Sequence, residues 1–170
     1  MKRFAFAAAV LLAAFAAVAQ DKPNPMDVVP DKMPNDIPYG PPITYERAVQ
    51  AMNAAIVESQ KRGWKLNIAV VDSGANIVSF ARMNGAQIGS IAISEHKARA
   101  AVKFRRETKA FEAGVQAGNN YLITLDDVIA SRGGIPIMDG GQMIGAIGCS
   151  GGTGSQDEVA CRAGVDAVKR

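Results

Sequence analysis

The stretch that most limits what this chain can become is GAIGCSGGTGSQDEVA, from Gly145 to Ala160. An apolar run suited to a strand meets Gly151, Gly152 and Gly154 and passes directly into a helical pattern. Glycine takes positive φ at little steric cost, so the cluster lets a strand turn sharply into a helix. The layout is similar to the phosphate cradles of nucleotide-binding proteins, but a P-loop needs a lysine and a hydroxyl residue directly after its glycines. Here Ser155-Gln156-Asp157-Glu158 follow, with no lysine and with two acids in the first helical turn. Acids suit the positive end of a helix and repel a docking phosphate. Ser155 and Glu158 also have the S-x-x-E spacing of a capping box. The stretch therefore reads as a folded corner; the alternative is a ligand carboxylate or propionate touching its free amides.

The pattern upstream supplies what this corner joins. Thr44 caps a helix whose apolar positions Ala48, Met52, Ala55 and Ile56 recur at helical spacing until Gly63. Leu66–Val71 and Ile77–Ala81, joined by Asp72-Ser73-Gly74-Ala75-Asn76, read as a hairpin. Gln87–Arg106 reads as a long helix with Ile88, Ile91, Ala98, Ala101 and Val102 on its buried face, and a second helical piece runs from Thr108 to Gly118. Tyr121–Ile129 reads as a short strand or turn leading into a helical turn. A second hairpin pairs Gly134–Met138 with Gln142–Cys149 across Asp139-Gly140-Gly141, and Pro136 suits an edge strand. Ser155–Val168 is the last helix. The order α-ββ-α-α-ββ-α places two hairpins in one antiparallel sheet flanked by helices, an α+β fold, without the β-α-β alternation of a dinucleotide fold.

The first residues read as an export signal. Lys2 and Arg3 precede the uncharged apolar run Phe4–Val18, and Ala17-Val18-Ala19 supplies an A-x-A cleavage site. A membrane anchor is the rival, but the run is shorter than the roughly 20 residues a spanning helix needs. The chain thus divides into a leader at 1–19, an arm at 20–43 and a domain at 44–170, with periplasmic or secreted localisation and no transmembrane anchor after cleavage. Losing Lys2 and Arg3 takes the formal charge from +3 to +1, which leaves no general field for nucleic acid. Seven of the eight prolines lie between Asp21 and Pro42, so the arm is irregular and extended. It is either a flexible tether or a strap across a neighbouring subunit anchored by Met26, Val28, Val29, Met33 and Ile37. Cys149 ends a strand and Cys161 lies in the following helix; buried thiols on facing core surfaces are the favoured reading, and a disulfide, which export would allow, is the alternative.

No catalytic residue is identified. Ser150 and Ser155 have glycine neighbours, but a triad would have to use His96, the single histidine, and the sequence gives no geometry for one. His96 lies inside SIAISEHKARAAVKFRR, pointing away from the centre of the buried face, with Arg99, Ala100 and Lys103 as helical neighbours. It reads either as a solvated surface residue or as an axial metal ligand to haem iron, which commonly takes one imidazole nitrogen. In the second case Arg99, Lys103, Arg105 or Arg106 hold the propionates, and small residues such as Ala92, Ala100 and Ala101 let the ring approach. Arg82, Arg105 and Arg106 are either solvated ends of a strand and a helix or receivers of a ligand carboxylate.

Three motifs in order carry a family resemblance: AVVDSGANIVSFARMNGA (69–86), SIAISEHKARAAVKF (90–104) and GGIPIMDGGQMIGAIGCSGGTGSQDEVA (133–160). Over about Thr44–Val168 the chain resembles the GlcG/HbpS family of haem-binding proteins, which also occurs as the C-terminal domain of PduO-type adenosyltransferases. The resemblance implies a profilin-like α+β fold, assembly into homo-oligomers and, for some members, haem as cofactor; exported members are linked to haem or redox sensing. The chain departs from the family pattern at Asn84, usually Asp, at Cys149, usually Val, and at Ala100-Ala101, where a threonine is common. The leading expectation is an exported oligomer that holds haem or a related tetrapyrrole. The second is an enzyme or accessory subunit acting on a small organic acid or oxidised metabolite. The third is a structural partner that docks on a sensor or oxidoreductase.

Overall fold

The computed structural model describes residues 28–169, so the expected leader and Met26 lie outside the described residues. Residues 28–34 belong to a separate unit in which Val28, Val29 and Met33 are exposed. From Asn35 the elements are α1 (Tyr45–Lys61), β1 (Asn67–Asp72), β2 (Ile77–Arg82), α2 (Ser90–Lys103), α3 (Lys109–Gln116), a 3-10 turn (Asn120–Thr124), β3 (Gly134–Asp139), β4 (Gln142–Ser150) and α4 (Gly154–Val168). The strands form one antiparallel sheet in the order β2-β1-β4-β3, so the two expected hairpins lie side by side and share β1–β4 as their seam.

Side-chain alternation explains the layers. On β1, Ile68 and Val70 join a core with Ala48, Ala51 and Ala55 of α1 and with Ala160 and Cys161 of α4. Ala69 and Val71 point the other way and pack with Ala98, Ala101 and Val102 of α2. Helices therefore cover both faces of the sheet. The second hairpin closes through Gly140 and Gly141, both at positive φ, the pairing that a two-residue turn matched to strand twist requires. At Ile144 the β3–β4 register slips, so Met143 faces α2 whereas Ile144 and Ile147 face α1 and α4.

The end of the proline-rich arm joins the fold. Gly40 donates to the Met143 carbonyl, Met143 to Pro38 and Ile43 to Ile144, and the Tyr39 hydroxyl donates to Val102. Ile43 is core, and Ile37, a candidate anchor on a neighbouring subunit, packs against this chain's own Met138 side of the sheet.

α2 differs from its expected form in length and in face. It ends at Lys103, because Arg105 takes φ +54° without any glycine or proline to announce it. Ile88 precedes the helix and is 76% exposed; the buried face is Ser90, Ser94, Lys97, Ala98, Ala101 and Val102. The reason is contact distance. A Cβ on Gly148 would stand 2.1 Å from the Ser94 carbonyl oxygen, and one on Gly134 would stand 2.3 Å from the Lys97 oxygen. The helix backbone lies almost on the sheet backbone, so small residues face the strands at Ser94 and Ala98, and Lys97 is accommodated by extending past the end of β3. Gly148→Ala is expected to cost about 1–3 kcal/mol, the usual penalty of overpacking, read as a lower urea midpoint; an unchanged midpoint would mean that α2 sits farther from β4 than described.

Cys149 on β4 and Cys161 on α4 form a disulfide with Cα atoms 5.7 Å apart. The favoured expectation of two buried free thiols is corrected: β4 presents Cys149 on the same face as Ile147, directly against α4.

Candidate functional site

The glycine corner holds an anion, and the anion is the chain's own. Asp157, in the first turn of α4, accepts from the Gly152 amide at 3.0 Å and from Lys97 Nζ at 2.8 Å. Lys97 Nζ also donates to the Cys149 carbonyl at 3.2 Å. Lys97 is 1% and Asp157 2% exposed. Lys97 starts on the α2 face and reaches α4 on the opposite face by passing the end of β3, where any Cβ on Gly133 would lie 2.8 Å from the Asp157 Cβ and 3.2 Å from Lys97 Nζ. The capping box is present two residues earlier than expected: Gln156 N donates to Thr153 Oγ1 and Thr153 N to Gln156 Oε1, in place of Ser155 and Glu158. With the Gly152, Thr153, Gln156 and Asp157 amides and the Lys97 ammonium committed internally, the corner is a structural joint.

The outer face of α2 is different. Ala92 and Ile93 stand about one turn before His96, Arg99 and Lys103 one and two turns after it. His96 is half-buried, and its Nε2 is shielded from solvent without a hydrogen-bond partner. A buried ring nitrogen left unpaired costs on the order of 1–3 kcal/mol, so this is the position on the helix where a coordinating partner gains most. Arg99 pairs with Glu95 at 3.1 Å and Lys103 with Asp127. The first pair is partly buried and the second exposed; pairs that reach solvent in this way are each worth about 0–1 kcal/mol and can exchange their carboxylates for a ligand's. Asp127 sits at φ +66° in the segment after the 3-10 turn. Its carboxyl is held below the ordinary value by the Lys103 hydrogen bond, against the raising effect of burial, with smaller contributions from the charges of Lys103, His96 and Arg99. The 3-10 turn before it exposes Tyr121 and Ile123, and Leu125 follows them.

The remaining predicted site residues are not gathered here. Arg105 donates to the Ile37 carbonyl at 3.1 Å and lies over the Tyr39 ring; Arg106 lies over Phe111. Both face a cavity at the β3 edge that contains none of His96, Arg99 or Lys103. Arg82, at the end of β2, lines a shallow groove with Ile56, Gln60 and Met83. Among the described residues no cluster of three or more His, Cys, Asp or Glu could hold a metal ion. Sequence reading missed Lys97, Asp157 and Asp127. The signal for the first two was the two glycines at 133 and 134, which mark a backbone that something must pass.

A second carboxylate cluster fixes the loop before β3. Glu112 accepts from the Arg132 amide and from its Nε, each at 2.8 Å. Its carboxyl is held below its ordinary 4.5, first by the Arg132 side-chain hydrogen bond, with burial opposing and the Arg132 amide adding to it. A depressed folded value stabilises above the unfolded value and is lost as pH falls through the folded one. Glu112→Gln should therefore lower the urea midpoint at pH 7 and leave a smaller difference from the parent chain below about pH 4; an equal deficit at both pH values would remove the charge from the account.

Comparison with known proteins agrees with this architecture. Residues 43–166 match the family model described as "HbpS-like: Haem degrading protein HbpS-like". Protein GlcG of Escherichia coli strain K12 is 39% identical over 106 residues, which is 59% of this chain and 79% of GlcG. A solved double mutant of Streptomyces reticuli HbpS is 26% identical with a TM-score of 0.72, covering 84% of this chain and 97% of that one. The haem complex of PduOC, 24% identical with a TM-score of 0.68 over 74% of this chain and 94% of that one, has the same fold.

Proposed function

This chain belongs to the HbpS-like family, and from that premise we propose that it is an exported oligomer that binds haem or a related tetrapyrrole on the outer face of α2. The observation that carries the proposal is the shielded, unpartnered Nε2 of His96, flanked by two cations whose present ion pairs reach solvent and can be exchanged. The residues fit the group: His96 would supply an imidazole nitrogen to the iron, Arg99 and Lys103 would receive the propionates, and Ala92 with Ile93, both exposed one turn before His96, would lie against the ring. When bound, haem supplies an iron that takes an imidazole nitrogen and changes oxidation state. The chain's part is to hold that nitrogen in place, neutralise two carboxylates and exclude water. Because Nε2 has no open path to solvent, the covering side chains must yield before a ligand reaches it.

Export is supported by the leader pattern at 1–19 and by the disulfide, a bond that persists in oxidising compartments such as the periplasm or the extracellular space. Self-assembly is supported by Ile77 and Phe80, both exposed on the edge strand β2. Such an assembly could present haem to a sensor or oxidoreductase. The family description favours a second reading in which bound haem is consumed.

Titration of the chain beginning at Gln20 with hemin, followed by absorbance and by the mass of the assembly, tests the proposal. The expected result is a saturating Soret shift on an oligomer, stable for hours. Steady bleaching in air with added ascorbate would favour consumption, and hemin that keeps its free spectrum at excess protein would overturn binding altogether.

A further inference from the structure

A cavity of about 510 Å³ opens along the outer edge of β3, within the range of small-molecule sites. Its floor is apolar: Ile135 and Met138 from β3, Val165 from α4 and Ile37 from the arm. Its rim carries four cations, Arg105, Arg106, Arg162 and Lys169, against two acids, Glu107 and Asp166. The cations are not equivalent. Arg162 is tied to Glu107 at 2.7 Å, and Arg105 is held by the Ile37 carbonyl with Asp36 at 3.7 Å. Arg106 has only an Nε bond to the Phe104 carbonyl and the face of Phe111. Among the described residues it makes no ion pair. Its two terminal nitrogens form the planar fork that receives a carboxylate through two parallel bonds.

The strand edge favours a side-chain-bound ligand over an added strand. Pro136 has no amide to donate, and Thr108 occupies the edge groups of Gly134, accepting from its amide through Oγ1 and donating to its carbonyl. An extended peptide would find these groups missing or taken. The apolar floor and the single open cationic fork instead define one ligand class.

We propose that this cavity is a second binding site, separate from the α2 face, for a small monocarboxylic acid with an apolar tail, its carboxylate on Arg106 and its tail over Ile135, Met138 and Val165. The site stands whether or not the α2 face takes haem, since the two share no named residue.

Octanoate and octanamide are the probes, titrated into the full chain with heteronuclear NMR and calorimetry. Octanoate should saturate with shifts centred on Ile135, Met138 and Val165, and octanamide should bind at least tenfold more weakly. Arg106→Gln should lower octanoate affinity at least tenfold while leaving the hemin titration unchanged. Ala110→Trp, at an exposed position on the cavity lining, should block octanoate with every rim charge intact, which keeps the test alive if Arg106→Gln fails to fold. Equal binding of acid and amide, full affinity in both variants, or competition between octanoate and hemin for one site would each overturn the proposal.

Discussion

Lys97→Met is expected to destabilise the fold by about 3–5 kcal/mol, because it leaves the Asp157 carboxylate buried without its counter-charge. Asp157 is 2% exposed and keeps only the Gly152 amide once the ammonium is gone. The Cys149 carbonyl loses a donor at the same time. Lys97→Met combined with Asp157→Leu should recover much of the loss, since two apolar side chains can replace a buried ion pair at little net cost. The measurement is a urea double-mutant cycle; additive single effects, or a Lys97→Met penalty below about 1 kcal/mol, would mean that the two groups do not work as one joint. A companion expectation is local: amide exchange should speed up first at Gly151–Thr153, whose geometry the carboxylate holds.

The disulfide should have the next largest effect. Cys149→Ala with Cys161→Ala, or reduction in mild denaturant, is expected to lower stability by about 3 kcal/mol, the typical value for closing a short loop. In a domain of this size that corresponds to a fall in Tm of roughly 6–12 °C. The bond ties β4 to α4 across the core that α1 completes, so the loss should appear at α4 rather than at α2. Unchanged Tm after complete reduction would show that packing of Ile147, Ala160 and Gly164 holds α4 without the bond. The two joints meet at the same corner, the ion pair through Asp157 and the disulfide one turn later, and together they explain why a glycine-rich bend can be a fixed point of the fold.

Most of the architecture was legible because it is written in short-range chemistry. Thr44 announces α1, Gly140-Gly141 announces the second hairpin, and the unbroken apolar run Ile68–Val71 of β1 announces a sheet covered on both faces. What was not legible depends on approach between elements distant in sequence. The buried face of α2 was read correctly at Ala98, Ala101 and Val102 and missed at Ser94 and Lys97, because hydrophobicity points to Ile88, whereas the glycines at 134 and 148 bring the Ser94 and Lys97 backbone against the sheet. A lysine in that row looks like a surface residue until Asp157, sixty positions away, is seen to receive it. The site divides the same way. His96 was visible as the single histidine on a helix, and its unpartnered nitrogen gives it physical content. The spread of Arg82, Arg99 and Arg106 over three separate surfaces was not visible, because like charges in sequence carry no information about where the chain turns; the turn at Arg105 separates Lys103 from Arg106.

The spectrum of the hemin complex in His96→Ala, set beside that of the parent chain, decides whether α2 carries the haem site. If the α2 face supplies the axial nitrogen, electron paramagnetic resonance and the visible bands of the ferric complex should lose their imidazole signature in the variant while Arg99 and Lys103 still retain the porphyrin with weakened affinity. Identical spectra and identical affinity for the two proteins would contradict the account and move the haem site away from α2.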